Sequence, residues 1–119
     1  MAYMLLVIEA PGDRDAPEAE RRLRHERMVG FAGELQQRGL LVAADSLAPP
    51  VGAPRIRKRG GRQTVIDGPF AEAKEIVGGF FYLNCDTIEE AAAIGQECPA
   101  AEWSTIEVRK VADCFEESA

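Results

Sequence analysis

A chain of 119 residues that is 46% hydrophobic and 29% charged has the composition of one globular domain, long enough for a single core and too short for two. Its 14 Lys and Arg against 20 Asp and Glu leave a net charge of −6, which argues against nucleic acid and anionic membrane as partners, since both are gripped by basic surfaces. The longest apolar run, Met4 to Ile8, falls far below the roughly 20 residues of a bilayer span and follows no basic stretch of the secretory kind, so the cytoplasm is the expected location.

The elements read in chain order. Tyr3 to Glu9 is a compact apolar run of strand length, stopped by Pro11, Gly12 and Asp13. A helix is predicted from about Ala16, with Pro17 suited to its first turn and Glu18 and Glu20 placed four residues before Arg22 and Arg24. Met28, Phe31, Ala32 and Leu35 share one face, and Gly39 is expected to end the helix as a left-handed cap, after Arg38 has complemented the dipole. Leu40 to Ala44 gives a second strand, and the Pro49, Pro50, Gly52 and Pro54 cluster then demands a loop. Arg55 to Lys58 and Gln63 to Asp67 flank Gly60 and Gly61 as a hairpin. Gly79 to Cys85 is the strongest strand signal and is expected at the centre of the sheet. Asp86 or Thr87 caps a second helix, with Glu90 completing a capping box if Thr87 is the cap, and Cys98-Pro99 ends it. Thr105 to Val111 is the last strand, and a polar tail follows from about residue 112.

Strand, helix, strand, hairpin, strand, helix, strand is the order of a ferredoxin-like α+β sandwich, a mainly antiparallel sheet with two helices on one face, and the whole of 1–119 is predicted to form it. The first strand is apolar on both faces: Tyr3, Leu5 and Val7 alternate with Met4, Leu6 and Ile8, as Phe80 and Tyr82 alternate with Phe81 and Leu83. A solvated face would alternate polar with apolar, so a second copy of the same sheet is expected to cover the helix-free face, making a homodimer. The cysteines, Cys85, Cys98 and Cys114, are odd in number, carry no CxxC spacing and share the chain with one histidine. Free thiols, no metal and no cofactor are therefore expected.

Few residues offer chemistry. His25 is the only imidazole, and at about 100° per residue it falls at the border of the apolar helix face, either a solvated residue among helix charges or a general base opening on a cleft. Asp45 and Ser46 lie where the second strand runs out, so Asp45 either holds the following turn or orients His25 for proton transfer, with Ser46 beside it as a ligand contact. The string Asp67-Gly68-Pro69-Phe70 has the chemistry of a turn, and Lys74 beside Glu75 either belongs to a solvated loop or holds an anionic organic ligand. Asp67, Phe70, Glu75 and Tyr82 complete the candidate ligand-binding set. Arg55, Arg57, Lys58, Arg59 and Arg62 place the one basic cluster on the hairpin, where cations guard an exposed strand edge or meet an acidic partner.

The string from Asp67 to Glu75 (DGPFAEAKE), followed by Val77 to Leu83 (VGGFFYL), resembles the signature of the DGPF branch of the YCII-related proteins. Tyr3 to Val7, Phe31 to Leu35 with Gly39, Ser46 to Pro50 and Ile106 to Arg109 extend the likeness over nearly the whole chain. The resemblance implies a ferredoxin-like domain in a dimeric α+β barrel. It also implies a His–Asp pair suited to acid–base chemistry, with some relatives acting as dehydrochlorinases, and an association of DGPF proteins with sigma factors of the extracytoplasmic-function type. Those relatives place their histidine about three helical turns before the helix-ending glycine, a position occupied by Met28, so His25 stands one turn earlier on the same helix face. Asp67, Gly68, Pro69, Phe70, Lys74 and Glu75 match the signature position by position.

Overall fold

The computed structural model describes residues 2–67 and 75–112. Six strands and two helices follow one another as β1 (Ala2–Glu9), α1 (Glu18–Gln37), β2 (Leu41–Ser46), β3 (Pro54–Arg59), β4 (Arg62–Asp67), β5 (Ile76–Asn84), α2 (Ile88–Glu97) and β6 (Thr105–Lys110), with one 3-10 turn at Pro99–Glu102 between α2 and β6. β2, β5, β1 and β6 form an antiparallel sheet in that spatial order, and β3 and β4 pair separately as a two-stranded sheet. This is the α+β ferredoxin-like arrangement, two helices packed on one side of an antiparallel sheet, and β5 lies inside the sheet as its unbroken apolar pattern requires.

The core lies between that sheet and the helices. Tyr3, Leu5 and Val7 of β1 and Phe81 and Leu83 of β5 are buried under Phe31 and Leu35 of α1 and Ala91 and Ile94 of α2. Phe31 meets Phe81 edge to face, with ring centroids 5.2 Å apart. Gly95 of α2 comes so close to Leu5, Ile106 and Val108 that an added Cβ would stand 3.4–3.5 Å from all three, which is how this helix settles onto β1 and β6. On the other side of the sheet Met4, Leu6, Ile8, Phe80 and Tyr82 are half-buried.

The caps follow sequence chemistry closely. Gly39 takes φ +72°, its N–H donates to the Gln36 carbonyl, and the Leu40 N–H donates to the Leu35 carbonyl, a Schellman closure of α1. Thr87 caps α2 by accepting the Glu90 N–H at 3.1 Å, while the Glu90 carboxylate reaches back to the N–H of Asp86 rather than of Thr87. Gly60 and Gly61, both at positive φ, make the two-residue turn of the β3–β4 hairpin.

Three boundaries differ from the sequence expectation by more than one residue. Pro17 is the extended N-cap residue before α1 and not a member of its first turn, with φ −55° and ψ 150°. β2 runs on through Asp45 and Ser46, because its pairing with β5 continues to Ser46 opposite Gly79 and is sealed by the Leu47 N–H on the Gly78 carbonyl. β5 begins at Ile76, three residues early, because Gly78 is absorbed as a bulge between the pairs Val7–Gly79 and Ile8–Val77. That bulge shapes the site.

Candidate functional site

One face of α1 does two jobs. Positions 21, 24, 25, 28, 29, 32 and 35 follow the i, i+3, i+4 spacing of a single helical stripe. Its C-terminal half, with Phe31 beside Leu35, enters the core, whereas its N-terminal half stands over the end of the sheet where β1 and β2 finish and β5 begins. The space between is a cleft of about 800 Å³. Arg21, Arg24, His25 and Met28 line it from the helix; Val7, Glu9, Ala44, Ser46, Gly79 and Phe81 line it from the sheet; Trp103 lines it from the segment between α2 and β6.

The floor is built on a bulge and an ion pair. Glu9 is 8% exposed, and its carboxylate takes two hydrogen bonds of 2.7 Å from the Nε and Nη2 of Arg14. Arg14 also donates to the carbonyls of Leu47 at 2.6 Å and Gly78 at 3.4 Å, so one guanidinium ties the ends of β1, β2 and β5 together. Bonding to Glu9 pushes the Arg14 guanidinium above its ordinary pKa, against the opposing cost of partial burial. Gly78 makes this geometry available: a Cβ there would stand 1.7 Å from the Glu9 Oε1. Gly79 admits close approach in turn, since its Cβ would lie 3.0 Å from the Asp45 carbonyl oxygen.

The remaining wall is also internally satisfied. Asp13 Oδ2 accepts the Ala10 N–H at 2.8 Å and the Ser104 hydroxyl at 3.2 Å. Arg24 bonds Glu20 and the Asp13 carbonyl, and its guanidinium lies 4.9 Å from the centre of the Trp103 ring. Arg27 lies 5.6 Å from the same ring and pairs with Glu102, whose carboxyl this bond holds below the usual carboxylate range.

His25 and Ser46 line the cleft, and so does Met28 one turn beyond His25. Asp45 lines it too, but it is opposite Phe80 in the β2–β5 register, so alternation places it on the sheet's helix-free side while Ser46, opposite Gly79, takes the helix side. No hydrogen bond joins His25 to Asp45, so the expected orienting pair is not formed as a direct contact. Tyr82 is on β5 in register with Met4 and Ala43 and is not among the cleft residues. Glu75 is exposed just ahead of β5. Asp67 ends β4, and Gly68, Pro69, Phe70 and Lys74 lie outside the described residues, as does Cys114. Cys85 and Cys98 are free and buried. Among the described residues no group of three or more His, Cys, Asp or Glu is placed to hold a metal, and no helix is long and apolar enough to cross a membrane.

Sequence reasoning missed Glu9, Arg14, Arg21 and Arg24. The signal for the last two was present: they extend the Met28–Leu35 stripe toward the N-terminus, so a face that is apolar in one half turns cationic in the other. The Glu9–Arg14 pair carried no such signal, because it depends on a bulge in a strand that lies 64 residues from Arg14 at Gly78.

A four-stranded antiparallel sheet with two helices on one face defines a ferredoxin-like α+β fold, here with a ligand-sized cleft at the sheet's end. The YCII-related domain matches residues 1–114, and the chain belongs to that family. An uncharacterised protein of Rhizobium meliloti (strain 1021) is 30% identical over 115 residues, which cover 92% of this chain and 93% of that protein. Among solved structures, 5-chloro-2-hydroxyhydroquinone dehydrochlorinase from Burkholderia phenoliruptrix AC1100, in complex with 2,5-dihydroxybenzoquinone, superposes with a TM-score of 0.57 at 12% identity over 94% of each chain. At that identity the likeness is one of fold.

Proposed function

We propose that this chain is a cytoplasmic homodimer that binds a small organic molecule in the cleft and moves a proton to or from it, with His25 as the acid–base group. The observation that carries this reading is the state of His25: the chain's one imidazole lines the cleft and makes no hydrogen bond among the described residues, which leaves both ring nitrogens open to a ligand. Imidazole is the side chain whose ordinary pKa lies nearest neutrality, so it serves in either direction of transfer. A proton taken by His25 from carbon or hydroxyl leaves an anion on the ligand. That anion is reprotonated elsewhere, completing an isomerisation, or expels a leaving group such as chloride, completing an elimination. Asp45 would assist through the ligand or a water, not by holding the ring.

The fold shared with a dehydrochlorinase supports this chemistry without fixing the substrate. Free Cys85 and Cys98 fit a reducing compartment. The half-buried Met4, Leu6, Ile8, Phe80 and Tyr82 support the dimer, since a second sheet laid on them would remove a contiguous apolar patch from water. The test uses 2,5-dihydroxybenzoquinone as probe and follows the His25 ring resonances. A saturable shift is expected, and saturable binding that leaves His25 untouched would sink the reading. Chloride release from 5-chloro-2-hydroxyhydroquinone that survives His25→Ala would remove the acid–base role.

A second reading is favoured by the hairpin. Alternation and register put Arg55, Arg57, Arg59 and Arg62 on one face of β3–β4, a cationic stripe on an acidic protein. It would suit an acidic protein surface, such as that of an extracytoplasmic-function sigma factor. Loss of a pull-down on Arg57→Glu with Arg59→Glu, and its retention in His25→Ala, is the pattern that reading requires.

A further inference from the structure

The ionised groups around the cleft divide into those with partners inside the protein and those without. Glu9 and Arg14 neutralise each other, Asp13 is held by the Ala10 amide and the Ser104 hydroxyl, and Arg24 is paired with Glu20. Along α1 the same holds for Arg22 with Glu18, Arg27 with Glu102 and Arg38 with Glu34 and Glu97. Arg21 is the exception: no carboxylate lies within ion-pair distance of it among the described residues, in a chain with six more acidic than basic side chains. Its Nε donates to the Ala16 carbonyl at 3.2 Å, which fixes the stem and leaves both terminal nitrogens free. His25, one turn further along the same face, and Asp45 at the end of β2 are the other titratable cleft-lining groups with no hydrogen bond or ion pair among the described residues.

Resting on the small-molecule reading above, we propose that Arg21 is the anion receptor of the cleft and that the ligand is a small organic monocarboxylate with an apolar body. Two terminal guanidinium nitrogens present a planar fork that matches the two oxygens of a carboxylate. One guanidinium with no ion-pair partner among the described residues matches a single negative charge, since the unpaired Asp45 is turned by strand alternation to the helix-free side of the sheet. A phosphate dianion would call for more, and Arg14 and Arg24 are already committed. Met28, Ala32 and Phe81 supply an apolar lining for the rest of the molecule, and the volume lies within the range of ordinary ligand sites. With its carboxylate on Arg21, the ligand would lie along α1 and present its next atoms to His25, four residues away. Arg21 thus positions the ligand and His25 reacts with it.

The probes are benzoate, its neutral near-isostere benzamide, and inorganic phosphate, each titrated into the full-length protein while the Arg21 Nε–H and His25 ring signals are followed by NMR. Benzoate should move both signals saturably and bind more tightly than either other probe. Arg21→Gln should weaken benzoate at least tenfold and leave benzamide unchanged, with Arg21→Lys in between because charge is kept and the fork is lost. Equal binding of benzoate and benzamide, with Arg21→Gln indifferent, would overturn the receptor and leave the cleft reading standing. Phosphate binding more tightly than benzoate would overturn the carboxylate assignment. No shift of His25 with any probe would overturn both the receptor and the cleft reading.

Discussion

Gly78→Ala should destabilise the protein by way of a residue on another strand. Its new Cβ would meet three consecutive atoms of Glu9, Oε1 at 1.7 Å, Cδ at 2.3 Å and Cγ at 2.8 Å, so turning the carboxylate alone does not clear the clash. The whole side chain must leave, and the two 2.7 Å bonds to Arg14 go with it. A broken buried pair costs about 3–5 kcal/mol and an exposed one at most about 1. With side chains 10% and 40% exposed, this pair falls between, at roughly 2–3 kcal/mol. The backbone itself raises no objection, since Gly78 is not at positive φ. Glu9→Ala removes Cγ and everything beyond it, and Gly78→Ala in that background should be neutral or stabilising by about 0.4–1 kcal/mol through the unfolded chain. The two substitutions should therefore couple by roughly 2–3 kcal/mol in a double-mutant cycle read from urea midpoints. Costs that add to within about 0.5 kcal/mol would refute the claim that Gly78 exists to admit the Glu9 carboxylate.

Three other consequences are direct. Thr87→Ala removes the acceptor for the Glu90 N–H and should cost about 1 kcal/mol in the same urea assay, while Thr87→Ser should restore most of it. Because Arg27 holds the Glu102 carboxyl below its ordinary value of 4.5, the pair's contribution is complete above that value and disappears as the pH falls through the lowered one. Wild type and Glu102→Gln should thus differ in urea midpoint near neutrality and converge in acid. Burial pushes the thiols of Cys85 and Cys98 up, so alkylation mapped by peptide mass spectrometry at neutral pH should leave both unmodified until the chain unfolds.

The fold was legible where local chemistry decides it. Gly39, Thr87 and the Gly60-Gly61 pair each announce a backbone event that needs that residue type, and the apolar runs of β1 and β5 are long enough to fix two adjacent interior strands. The site was legible only in part. His25, Asp45 and Ser46 were singled out by their chemistry, and all three line the cleft. Their mutual geometry was not legible, because alternation along β2 separates Asp45 from Ser46 and no local pattern reports which of them faces the helix. Arg21 and Arg24 looked like ordinary surface charges, since i, i+4 pairing explains Arg24 fully and the lack of an ion-pair partner for Arg21 among the described residues shows only in the folded chain. Gly78 and Gly79 carry no local signal of their role, which is set by Glu9 and Asp45, arriving from β1 and β2.

The division of charge in the cleft has a consequence for stability. On the proposed reading, groups bonded to the protein carry structure and groups left open bind the ligand, so the two should respond oppositely to removal. Asp13→Ala abandons the Ala10 amide and the Ser104 hydroxyl and loosens the turn after β1 from the segment before β6, at a cost of about 1–2 kcal/mol. Arg21→Gln and His25→Ala remove side chains that are exposed and bonded to at most one carbonyl, and should stay within about 0.5 kcal/mol of wild type in urea unfolding. A helix whose N-terminal half contributes little apolar burial gains no packing from these two residues. A loss above about 1 kcal/mol for either would mean that it holds the helix in place, and the argument that the cleft keeps them free for a ligand would fail.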